Sequence, residues 1–123
     1  MTIAMAIAAG GALGALMRWL LAAPLNSTGL PLGTLLVNLL GSFLIGALLV
    51  VFADKGGSEA LRAGVVVGLL GGFTTFSAFS LETVQLLERG QVKTALLYAV
   101  GSMIICVCAA YTGIRAARLV LSV

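Results

Sequence analysis

Four apolar runs, each long enough to cross a bilayer, leave this chain little choice of fold. A membrane span needs about 20 mostly apolar residues, and the runs 3–23, 32–52, 63–87 and 95–119 all reach that length. Hydrocarbon offers no partner to a backbone amide or carbonyl, so each run must close its own hydrogen bonds as a helix. The expected fold is therefore all-α: a single integral membrane domain over residues 1–123 with four transmembrane helices. The connecting segments are too short to hold a soluble domain. Composition agrees, since 61% of residues are hydrophobic and only 9% charged, against about 25% charged in soluble proteins.

The charges that remain sit between and at the ends of the runs. Seven basic residues are spread singly instead of forming the patch that nucleic acid requires, so no nucleic-acid partner is expected. The most polar link, 53–62, carries Asp54, Lys55, Glu59 and Arg62 and should be solvated. With four spans, both termini face the same side. Lys55, Arg62, Arg115 and Arg118 fall on that side, and Arg18, Arg89 and Lys93 on the other. Orientation follows the side richer in Lys and Arg, and this distribution barely distinguishes the two sides. Insertion in both orientations is the expectation. No Lys or Arg precedes the first run, which is the wrong polarity for a secretory signal, so it should persist as span one.

Within the spans, small and polar residues recur at helical spacing. Gly10 and Gly14 in span one, Gly41, Ser42 and Gly46 in span two, and Gly64, Gly68 and Gly72 in span three mark faces for close helix contact. Tyr98, Ser102 and Cys106 share one face of span four. Arg18 must snorkel beside Trp19, pair, or face a water-filled vestibule that attracts anions. Asn38 is either a helix-to-helix hydrogen bond or a lining donor. The link from Pro24 to Pro31, with Asn26, Ser27, Thr28 and Gly29, reads as an uncharged turn.

One stretch does not belong in an apolar span: Gly71-Gly72-Phe73-Thr74-Thr75-Phe76-Ser77-Ala78-Phe79-Ser80. The glycine pair weakens a helix by roughly 1 kcal/mol per residue, and a break there frees backbone groups at membrane depth. Freed carbonyls are hard ligands for a small cation; freed amides suit an anion. Phe76 and Phe79 lie three apart and share a helix face, as a packed pair or as two positive ring edges aimed at one anion. Thr74, Thr75, Ser77 and Ser80 add hydroxyls able to replace a hydration shell. There is no histidine to activate a serine, so an enzyme is not expected. Cys106 and Cys108 lie two apart on different faces, which favours neither a disulfide nor a metal site.

The ordered set Gly10-Gly11-x-x-Gly14-Ala15-x-x-Arg18, Pro31-x-Gly33-Thr34-Leu35-x-Val37-Asn38-x-x-Gly41-Ser42 and Gly71-Gly72-Phe73-Thr74-Thr75-Phe76-Ser77-x-Phe79-Ser80-x-Glu82 resembles the Fluc (CrcB-type) fluoride channel family. The resemblance implies a passive fluoride exporter of the bacterial inner membrane, built as a dual-topology antiparallel homodimer with a broken third helix. By similarity, Phe76 and Phe79 face the pore, with Asn38 as an amide donor. Ser77, Ser80 and Ser102 supply hydroxyls, Tyr98 lies one turn before Ser102, and Arg18 lies near a vestibule. Backbone carbonyls of Gly71 and Thr74 from both chains would hold a structural sodium ion. Ala78 stands where the family has a threonine, and Cys106 where a hydroxyl is common. The rival from another class is a small four-span, proton-coupled multidrug exporter. It needs a carboxylate deep in the membrane, and Glu82, beyond the phenylalanines, is the only candidate.

Overall fold

The computed structural model describes every residue except Met1 and Thr28, so the latter's place in the uncharged turn lies outside the described residues. Every regular element among the described residues is helical, and four helices are long and apolar enough to cross a membrane. Helix α1 spans Ile3–Asn26 and α2 spans Leu32–Lys55. The third crossing is assembled from α3 (Glu59–Arg62), a π-helix (Ala63–Leu70), α4 (Gly71–Phe73) and α5 (Phe76–Glu88), and α6 spans Val92–Leu121. Each expected run lies inside one of these. Side chains set the starts: Thr2 Oγ1 accepts from the Met5 amide at 3.3 Å and Ser58 Oγ from the Leu61 amide at 3.2 Å.

The first link is shorter than its composition predicts, because α1 continues through Pro24 to Asn26. A proline removes one helical donor, but only two residues of helix follow it. That last turn is held from outside by the hydrogen bonds of Asn26 to the start of α2.

Helices pack in two close pairs: α1 against the first half of the third crossing, and α2 against α6. Glycine lets the backbones touch in both. A Cβ on Gly14 would strike the Leu69 carbonyl, and one on Gly72 the Gly11 carbonyl. In the other pair, a Cβ on Gly46 would strike the Ala110 carbonyl and one on Gly113 the Phe43 carbonyl. Lipid tails are as apolar as leucine, so helices in a bilayer are held by this kind of contact and not by exclusion of water. Ala22, Val37 and Phe73 close the junction of α1, α2 and α4, with Val37 fully buried.

The third crossing is broken, but not at its glycines. Gly71 and Gly72 remain helical, and the chain opens at Thr74 (φ −84°, ψ 158°) and Thr75 (φ −153°, ψ 121°). Both are β-branched residues at home in extended backbone. The glycines do other work: Gly72 brings the chain against α1, while a Cβ on Gly71 would meet nothing within 4 Å.

Candidate ion pathway at the helix break

The break exists because side chains replace the hydrogen bonds that it removes. A continuous helix would deliver the Thr75 amide to the Gly71 carbonyl. Here that amide donates to Asn38 Oδ1 at 2.8 Å, and Asn38 Nδ2 donates to the Thr75 carbonyl at 3.0 Å. One amide side chain of α2 thus satisfies both backbone groups of a buried residue. Thr75 then starts α5, its Oγ1 accepting from the Ala78 amide at 3.1 Å and meeting Ser77 Oγ at 3.2 Å. Of the two readings of Asn38, the helix-to-helix bond is present, and the residue also lines the adjoining groove.

That groove is open, about 700 Å³ in volume and mostly apolar. Asn38, Gly71, Thr74, Phe76, Phe79 and Ser102 are among its lining residues, as is Cys106. Ser102 Oγ is buried and, among the described residues, has no hydrogen-bond partner. A buried hydroxyl without a partner costs roughly 1–3 kcal/mol, so it is poised to take one. Phe76 projects from the chain with 79% of its surface exposed.

From the groove a line of rings runs along α5 and across to α6. Phe76 and Phe79 have centroids 5.3 Å apart with planes at 40°, and Phe79 and Tyr98 are also 5.3 Å apart with planes at 45°. Both pairs are tilted, neither flat-stacked nor perpendicular. The line ends on a carboxylate. Tyr98 Oη donates to Glu82 Oε2 at 2.8 Å, while Glu82 Oε1 accepts from Thr34 Oγ1 at 2.6 Å and from Asn26 Nδ2 at 3.1 Å. Beyond it lies a second cavity of about 170 Å³ lined by Asn26, Glu82, Gln85 and Arg89, among others.

The structure therefore joins most of the residues singled out in the sequence, with differences. Phe76, Phe79 and Tyr98 form one line, and Asn38, Gly71, Thr74 and Ser102 gather at the groove. Ser77 and Ser80 are not among the groove residues. Ser80 Oγ is turned back to the Phe76 carbonyl at 2.8 Å, and Thr74 Oγ1 to the Leu70 carbonyl at 2.9 Å. Half-buried Arg18 points at the break instead of lying beside Trp19, with Nη1 3.5 Å from the Thr74 carbonyl, a long contact. Sequence reasoning missed the cluster around Glu82. Thr34 stood within the recognised motifs without a role, Glu82 was weighed only as the carboxylate of a proton-coupled exporter, and nothing marked Asn26, a common turn residue.

The carbonyls expected to hold a cation fit hard-ion chemistry. The Gly71 carbonyl is relieved of the Thr75 amide, and the Thr74 carbonyl leaves the helix on extended backbone, where the Arg18 guanidinium meets it only at the long distance of 3.5 Å. Among the described residues, no group of three or more His, Cys, Asp or Glu could hold a metal ion.

Comparison with known proteins points the same way over nearly the whole chain. Residues 5–114 match the family model described as CrcB-like protein, Camphor Resistance (CrcB). A protein of Bordetella petrii named fluoride-specific ion channel FluC is 54% identical over 101 residues, covering 81% of this chain and 79% of its own. Proteins of the same name from Magnetococcus marinus and Geobacter sulfurreducens are 46% and 44% identical, covering 93% and 96% of this chain and 96% and 98% of theirs. With a family model matched from residue 5 to residue 114 and such relatives along its length, this chain belongs to the CrcB-like family.

Proposed function

We propose that this protein is a fluoride channel that lets the ion leave the bacterial cell passively across the inner membrane. The observation that carries the reading is the line Phe76, Phe79, Tyr98, which starts at a groove beside a broken helix and ends at Glu82. The names of the relatives supply the identity of the ion.

Fluoride is small and strongly hydrated, so a conducting path must replace water with donors that release the ion again. The ring edges of Phe76 and Phe79 offer positive quadrupole charge without a formal charge that would trap it. Asn38 has spent one amide hydrogen on Thr75 and keeps the other for the groove. Ser102 contributes its unpartnered hydroxyl, and Ser77 and Ser80 reach the ion by rotating about χ1. Arg18, beside the break, raises the local concentration of anions. Glu82 is met by hydroxyl and amide donors that spread its charge, so a carboxylate at the end of the path repels the anion less than a bare one would.

The exposed ring of Phe76 and the open apolar groove are best covered by a second copy of the chain, set antiparallel in the lipid bilayer, as the even distribution of basic residues favours. In such a homodimer the carbonyls of Gly71 and Thr74 from both copies would hold a sodium ion. When bound, that ion supplies positive charge that ties the two helix breaks together.

Two measurements test this reading. Liposomes carrying the purified protein should release fluoride to an ion-selective electrode at a rate unaffected by a proton gradient. Absence of release, or proton-coupled transport of organic cations, would refute it. A topology reporter fused to the C-terminus should give comparable signal on both sides of the membrane, and signal on one side alone would remove dual insertion.

A further inference from the structure

Glu82 does not hold its position by itself. We infer that Asn26 is a positioning residue that locks the Glu82 carboxylate to the first turn of α2, at the end of the ring line. The inference rests on the fluoride-channel reading and adds to it a residue that carries no motif.

The amide of Asn26 makes as many hydrogen bonds as its chemistry allows. Its Oδ1 accepts from the Gly33 amide at 2.7 Å and the Thr34 amide at 3.3 Å, two orphan donors at the start of α2. The two hydrogens on Nδ2 go to Thr34 Oγ1 and Glu82 Oε1, each at 3.1 Å. This arrangement fixes which end of the amide is which, since a flip would set NH₂ against two backbone N–H groups and oxygen against a carboxylate. Pro31, at the N-cap position, gives no side-chain cap, so Asn26 acts as the remote cap of α2. It thereby ties the ends of α1 and α2 to α5, and holds Thr34 Oγ1 where it reaches Glu82 at 2.6 Å. A carboxylate fixed in this way cannot swing across the mouth of the path or into the 170 Å³ cavity beside it.

Asparagine serves both tasks with one side chain, and aspartate separates them. Asn26→Asp keeps an oxygen for the Gly33 and Thr34 amides, and its charge suits a helix N-terminus. Its other oxygen faces Glu82 Oε1 where a donor stood, and two carboxylates that close cannot both stay ionised and in place. The ionisable groups around this point are Glu82 on α5, Tyr98 on α6 and Arg89 across the small cavity, while α1 and α2 bring Asn26 and Thr34.

The test is fluoride efflux from liposomes at a series of pH values, with wild type alongside. Asn26→Asp should assemble, conduct about tenfold more slowly than wild type near neutral pH, and recover as acidification places a shared proton between the carboxylates. The sign follows from like charge: each carboxylate raises the other's proton affinity, so the defect is present above the raised value and lost below it. Asn26→Ala releases Glu82 without adding charge, so its flux should fall by a similar factor with no pH dependence, and it decides the matter if the aspartate variant fails to assemble. Wild-type flux in either assembled variant, or a pH-independent loss in Asn26→Asp, would overturn the positioning role and leave the channel reading intact. Absence of fluoride flux in wild type removes both.

Discussion

Replacing Asn38 with alanine is expected to abolish fluoride efflux and destabilise the protein by about 2 kcal/mol, the cost of leaving a buried amide and carbonyl without partners. Thr75 is 8% exposed and both of its backbone groups depend on this one side chain. The cost stays near that size because the segment has an alternative. Freed from Asn38, the Thr75 amide can return to the Gly71 carbonyl and the helix can close through Thr74 and Thr75. Closure winds each of those residues by about 100° and shortens the rise from extended to helical, which swings Phe76 and Phe79 out of line. A misplacement of about 1 Å in a site of this kind costs on the order of a hundredfold, so flux should fall to the background of empty liposomes. Efflux at the wild-type rate from an assembled Asn38→Ala protein would show that the bracket does not set the path.

Phe79→Ile should lower fluoride flux by about tenfold or more while leaving assembly unchanged. Phe79 is the middle ring of the line, 5.3 Å from both Phe76 and Tyr98. A ring edge offers an anion positive quadrupole charge that isoleucine lacks, and about 1.4 kcal/mol in a barrier is tenfold in rate. Isoleucine keeps most of the apolar bulk and removes the ring edge, so the experiment separates volume from quadrupole. Electrode-measured efflux together with size-exclusion elution at the wild-type position decides it. Unchanged flux would rule out the ring edges as ion-binding groups.

The helical architecture was legible because hydrocarbon forces it: long apolar runs have no other way to satisfy their backbones, and each expected span lies within an observed helix. The glycine stripes were legible for a related reason, since close helix contact requires a missing Cβ at four-residue spacing. The location of the break was not. Glycine signals a weak helix, but the helix opens where hydrogen bonds are supplied from elsewhere, and the supplier, Asn38, is distant in sequence. Ser80 shows the same limit at the site. Its hydroxyl was visible in the motif, but its preference for the Phe76 carbonyl depends on a rotamer that composition does not set. Asn26 was hidden because a turn asparagine and a fourfold hydrogen-bonded asparagine look alike until α2 and α5 are brought beside it.

The two extended residues at the break also free the halves of the third crossing from a common helical phase. Before them, the π-helix and α4 are shaped to α1; after them, α5 is turned toward α6. In an unbroken helix, a side chain added to one face fixes what every later residue must face, so adhesion to a neighbour and presentation of an ion path would compete for the same register. Here they are separate modules on one strand of sequence. Residues from Ala63 to Phe73 can change to improve contact with α1, and residues from Phe76 to Glu88 can change to tune conduction, with neither set dictating the other's orientation.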